Sequence, residues 1–133
     1  MNRMKISGSC HCGRIRYDAE VNPEYVVICH CTDCQNTSGA PYRANVPVLL
    51  ERFHIEGDPH KYLKTGGSGK KIIHAFCGNC GSALYSVADE SPNFLWLRLG
   101  AIDQRAELPP KKQGFCESAM PWAMKIEDVP VVS

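Results

Sequence analysis

Seven of the eight cysteines of this 133-residue chain fall into three compact groups, and no other feature restricts its folding as much. Cys10 and Cys12 form CHCG, Cys29, Cys31 and Cys34 form CHCTDC, and Cys77 and Cys80 form CGNCG, while Cys116 stands apart. Thiols grouped this closely serve as disulfides, metal ligands or nucleophiles, and the compartment decides among them. The opening residues MNRMKISGSCHCG contain no apolar core of roughly 7–15 residues such as a secretory signal needs. No window approaches the roughly 18 apolar residues of a membrane span either. A cytoplasmic location is expected, where thiols stay reduced and grouped cysteines read as ligands.

Zinc sorts the groups by number. A structural zinc closes with four protein ligands, whereas a catalytic zinc takes three and leaves a position for water or substrate. If no group is split, the one pairing that sums to four is Cys10, Cys12, Cys77 and Cys80. Cys29, Cys31 and Cys34 then remain as a three-thiolate site able to take an external thiolate. In CGNCG the two thiolates converge from a tight turn, and Gly81 lets backbone N–H groups approach sulfur. The four-cysteine site would tie the N-terminal segment to a distant hairpin, so that metal binding adds to folding free energy. For the triple, closure by Cys116 or by His30 as a second structural site stays open. An extended segment would aim His30 away from its neighbours, as a supporting or surface residue, and Cys116 also fits a small buried hydrophobe. Asp33 reads as a helix cap or a general base, and Gln35 as a donor to substrate or a solvent-facing residue.

Around these groups the pattern is β. Ile15 and Tyr17 alternate with Arg14, Arg16 and Asp18, and apolar or alternating runs follow at 25–28, 42–50, 53–56, 61–65, 71–77, 83–87 and 94–99. Turn chemistry separates them: GDP, TGGSG, GNCG and SPN. One short helix is expected after Thr32 or Asp33, ended by Gly39 and Pro41. TGGSGKK is a hairpin loop, because a phosphate-binding loop would need glycine at Lys64, serine or threonine at Lys71 and a helix beyond. These features predict an all-β single domain over residues 1–133. His54, His60 and His74 are isolated and read as ordinary surface or core residues; Trp96 and Trp122 read as core or pocket wall. Fifteen Lys and Arg against fourteen Asp and Glu, evenly mixed with no basic tail or block, weigh against nucleic acid or an anionic membrane as the partner.

Four segments in fixed order, GSCHCGRIRY, CHCTDCQNTSGAPY, FCGNCGSALY and ESAMPW, resemble the glutathione-dependent formaldehyde-activating (GFA) family, which also includes centromere protein V. The resemblance implies a β-tent of short antiparallel strands stapled by a structural zinc. It assigns that zinc to Cys10, Cys12, Cys77 and Cys80 and a second, catalytic zinc to Cys29, Cys31 and Cys34, two per chain. The activity implied is that of an S-(hydroxymethyl)glutathione synthase, formally a carbon–sulfur lyase, with a small thiol such as glutathione and a small electrophile as partners. A monomer or a homodimer fits equally. Arg43, Lys70, Lys71 and Arg98 are candidate anchors for an anionic thiol by charge alone. The chain departs from the family at QGFCESAMPW, where Gln113, Cys116 and Ala119 replace a common histidine, an aliphatic residue and a basic residue. The alternative function class is a noncatalytic zinc-stapled module for a partner protein or chromatin.

Overall fold

In a computed structural model, which describes residues 2–132, ten strands form two sheets. The strands are β1 (Met4–Ser9), β2 (Arg16–Val21), β3 (Val27–Cys29), β4 (Arg43–Leu49), β5 (Phe53–Glu56), β6 (His60–Thr65), β7 (Lys71–Phe76), β8 (Ala83–Ala88), β9 (Phe94–Arg98) and β10 (Lys112–Gly114). A single α-helix, α1 (Thr32–Ser38), follows β3, and the other helical pieces are short 3-10 turns. The smaller sheet runs β1-β2-β5; the larger runs β10-β3-β4-β9-β8-β7-β6. The all-β reading holds, with one amendment: β10 pairs with β3 in parallel, while the other strand pairs are antiparallel.

The two sheets share one core because their alternation faces inward. Ile6, Tyr17, Ala19, Val21, Phe53 and Ile55 of the small sheet join one hydrophobic cluster with Val46, Val48, Leu95 and Leu97 of the large one. Gly8 is required where β1 crosses β2, since a Cβ there would strike the Tyr17 ring and the Ala101 carbonyl. The register decides what the other face of the large sheet carries. Cys29 lies opposite Arg43, Asn45 opposite Arg98, and Trp96 opposite Ser86, which faces His74. Strands with one apolar face on the core thus carry a second face that mixes polar side chains with Ile72 and Trp96. TGGSGKK is the β6–β7 hairpin as expected, with Thr65 opposite Lys71 and Gly69 at φ +82°.

Two elements lay outside the sequence-based expectation. β1 (MKISGS) has only two apolar residues, and β10 (KQG) has none, so neither carries a strand signature. β10 exists because Lys111 N–H donates to Val26 O at 2.8 Å and His30 N–H donates to Gly114 O at 3.0 Å, fixing the C-terminal arm along β3. Among the described residues no helix is long and apolar enough to cross a membrane.

Candidate metal centre

Two cysteine clusters assemble along the partition that the ligand count predicts. The sulfurs of Cys10, Cys12, Cys77 and Cys80 lie within 4.8 Å of one another, as do those of Cys29, Cys31 and Cys34. In the first cluster Cys12 Sγ stands 3.6 Å from Cys10 Sγ and 3.7 Å from Cys77 Sγ. A tetrahedral zinc with Zn–S bonds of about 2.3 Å spaces its sulfurs by about 3.8 Å, so the donor set fits that ion. Two tight turns deliver the sulfurs. Gly13 and Gly81 both hold positive φ, and their N–H groups donate back to the carbonyls of Cys10 and Cys77 at 3.1 and 2.8 Å. The turned backbone then aims donors at sulfur: Ile15 N–H reaches Cys10 Sγ at 3.3 Å and Asn79 N–H reaches Cys77 Sγ at 3.4 Å. The Ser82 hydroxyl, followed by backbone N–H groups, pulls Cys80 down to about 5, toward the thiolate a metal needs.

The second cluster comes from one stretch that leaves β3 and enters α1. Cys31 Sγ caps the helix, accepting the Cys34 N–H at 3.3 Å, so one turn of chain presents all three sulfurs. Burial first, then the Cys29 and Cys31 sulfurs, push Cys34 up to about 12. Burial likewise raises Cys29, while at Cys31 burial is outweighed by hydrogen bonds from Cys34 and the thiol is lowered, so a cation binding there would displace protons from Cys29 and Cys34. This cluster could hold a metal through three sulfurs, and neither Cys116, which is exposed, nor His30 joins it.

Beside the triple opens a cavity of about 580 Å3 on that second face of the large sheet. Its walls include Arg43, Asn45, His74, Ser86 and Arg98. Arg43 and Arg98 are only 5% and 8% exposed, yet their partners are neutral: Arg43 Nη2 donates to Thr37 Oγ1 at 2.6 Å, and Arg98 Nη1 to Asn45 Oδ1 at 2.7 Å. The ion pairs among the described residues are Arg52–Glu20 and Lys64–Asp33, so neither guanidinium meets a carboxylate. Burial, aided by Arg43, lowers Arg98 to about 9. Burial and the cations Arg98, Arg43 and Lys64 hold His74 down at about 4, so its imidazole is neutral at pH 7. Buried cations without a carboxylate are costly, and here they face a cavity and three sulfurs.

Several expectations need correction. Asp33 is not the cap; Cys31 takes that position, and the Asp33 carboxylate pairs with Lys64 Nζ at 2.6 Å. Gln35 neither faces solvent nor points at substrate: its Nε2 donates to His30 O and Ser118 O, both at 2.8 Å, lashing the C-terminal arm to α1. His30 is fully buried rather than on the surface, its Nε2 2.8 Å from Gln113 Oε1. Cys116 is exposed, and Trp122 stands 55% exposed, outside the core. Lys70 and Lys71 line a different depression with Asp89 and Glu90, away from the cysteines. Of the four proposed anchors, Arg43 and Arg98 alone reach this cavity. The residues that sequence reasoning passed over are Asn45, His74 and Ser86. Asn45 breaks an otherwise apolar strand at an alternate position, a signal easily taken for solvent exposure.

The chain matches the family model described as Glutathione-dependent formaldehyde-activating enzyme over residues 5–118. It belongs to this GFA family. A Halomonas elongata protein that carries the same enzyme name is 27% identical over 129 residues, 93% of this chain and 82% of that one. The crystal structure of a Rhodobacter sphaeroides protein shares the fold, with a TM-score of 0.62 at 18% identity over 80% of this chain and 98% of that one.

Proposed function

We propose that the protein is a zinc-dependent carbon–sulfur lyase of the GFA type, one domain over residues 1–133, acting on the adduct of a small thiol and an aldehyde. Cys10, Cys12, Cys77 and Cys80 hold a structural zinc, and Cys29, Cys31 and Cys34 a catalytic one. Glutathione is the thiol this reading favours, and S-(hydroxymethyl)glutathione the adduct the family name implies. The observation that carries it is the pairing of an incomplete thiol set with two buried arginines that have no carboxylate. Three thiolates around a divalent cation leave one negative charge, and two guanidiniums leave one positive charge over. A fourth, external thiolate cancels it.

A zinc ion bound there supplies Lewis acidity that keeps a coordinated thiol ionised near neutral pH. The chain's residues do the rest. Arg43 and Arg98 attract and orient the anionic thiol compound, and their burial strengthens that attraction. His74, neutral at pH 7, offers an uncharged ring nitrogen as a hydrogen-bond partner and so adds no further cation to the cavity. Asp33 and Lys64, which also line the cavity, neutralise each other and leave its net charge to the two arginines. A cytoplasmic setting, where glutathione is plentiful and reduced, suits this chemistry.

Native mass spectrometry with elemental analysis, with and without glutathione, tests the reading. Two zincs per chain and one retained glutathione, lost with its zinc in Cys31→Ser, are expected. Two zincs with no thiol bound would leave a noncatalytic scaffold.

A further inference from the structure

The cavity beside the triple has two characters, and a charged thiol satisfies one of them. Arg43 and Arg98 form the cationic part; Ile28, Ile72, Trp96 and Phe115 form an apolar part of the same cavity. We propose that the electrophile handled at this site carries a bulky apolar group, so that the adduct is a hemithioacetal of an aromatic or long-chain aldehyde rather than of formaldehyde. This deepens the thiol-adduct reading above and depends on it.

Size and polarity carry the inference. Formaldehyde adds one carbon and one oxygen, which cover none of the apolar wall, in a cavity of about 580 Å3, a volume that admits a ligand of drug size. Glutathione is polar from end to end, with two carboxylates, an ammonium and two amides, and none of these groups gains from Ile72 or Trp96. Apolar ligand surface laid against such a wall takes both out of water, which the polar groups of the thiol do not do.

Phe115 is the most specific feature. Its backbone is left-handed, φ +55° and ψ +40°, a conformation unfavourable for a residue with an aromatic side chain, and the residue is 60% exposed. Such strain persists where neighbouring structure imposes it, and it concentrates at ligand sites. Both sides of Phe115 are tied down: the Gly114 carbonyl accepts from His30 N–H at 3.0 Å, and the Ser118 carbonyl accepts from Gln35 Nε2 at 2.8 Å. His30 is itself buried between two cysteines of the triple and bonded to Gln113. The sequence stretch that bears the three sulfurs therefore also fixes Phe115 at the rim of the cavity. In the reaction the thiol sulfur bonds to the aldehyde carbon, the carbonyl π bond opens, and the thiol proton ends on the new hydroxyl oxygen. Nothing else is consumed.

Two stable thioethers separate the possibilities in calorimetric titrations of the zinc-loaded protein: S-benzylglutathione, which carries an apolar group, and S-methylglutathione, which does not. The benzyl compound is expected to bind at least about tenfold tighter, as burial of a ring against apolar walls predicts. Phe115→Ala, which removes an exposed ring from outside the core, should remove most of that difference. With glutathione, the ratio of kcat/KM for phenylacetaldehyde to that for formaldehyde should exceed ten and fall in the same variant. Equal binding of the two thioethers, or a difference untouched by Phe115→Ala, overturns the proposal. If formaldehyde turns over while the thioethers bind equally, this inference fails and the lyase reading stands; if no thiol binds and no aldehyde reacts, both fail.

Discussion

The two cysteine clusters use the same ligand atom in opposite settings. The four-sulfur cluster joins Cys12 to Cys77 across 65 residues of sequence, and its Cys10 and Cys77 are each 2% exposed within the shared core. The three-sulfur cluster comes from one stretch of six residues, and it lies against a cavity and two buried cations. A metal in the first closes a long loop and becomes part of folding. A metal in the second would close only a short local loop and add little to folding. Geometry around the sulfurs, and not the sulfurs themselves, separates staple from site.

Replacing one ligand in each cluster is the sharpest way to break this contrast. Cys77→Ser should lower Tm by about 10 °C or more in thermal unfolding, or leave no folded protein, because a long-range tie is lost. Cys31→Ser should lose one zinc by elemental analysis and yet shift stability by less than about 1 kcal/mol, since serine keeps the helix cap. Equal destabilisation by the two variants would erase the distinction.

The buried arginines sharpen the same contrast at finer scale. Arg98→Leu should weaken glutathione binding about 30-fold or more by calorimetry, as losing one partner of a buried charged contact does. Its Tm should stay level or rise, because an uncompensated buried cation is removed. A fall in Tm with glutathione affinity intact would make Arg98 a structural residue.

The smallest expected effect is at His74. Its folded pKa of about 4 lies below the ordinary 6.5, so the unfolded chain binds the extra proton first. The stability His74 contributes is full above pH 6.5 and is lost as pH falls toward 4. The His74→Gln profile should be flatter than the parent's across that window, by about 1 kcal/mol once screening at this half-buried position is allowed for. Superimposable profiles would mean that His74 is not held neutral by its neighbours.

Much of this was legible before any coordinates. Eight of the ten described strands overlap apolar or alternating runs, the TGGSGKK hairpin follows from its glycines, and the spacing of the cysteines yields both clusters. What escaped has physical causes. β10 is held by backbone hydrogen bonds to β3, which leave no side-chain pattern. Asp33 looks like a cap by residue type, but a cysteine two residues earlier, just before the helix, fills that role, and Lys64 from β6 claims the carboxylate.

The sequence by itself determined the ligand sets, because a chelating group is local and its count is fixed by the metal's valence of contacts. Only the tertiary structure decided what those ligands face. Asn45, Ser86, Trp96 and Arg98 occupy alternate positions in strands that also bury a core face, and alternation alone does not say whether the second face meets water or a cavity. Strand order placed β4, β9, β8 and β7 side by side, and with α1 and the C-terminal arm beside them, that second face became the wall of an open cavity, cationic in one part and apolar in another.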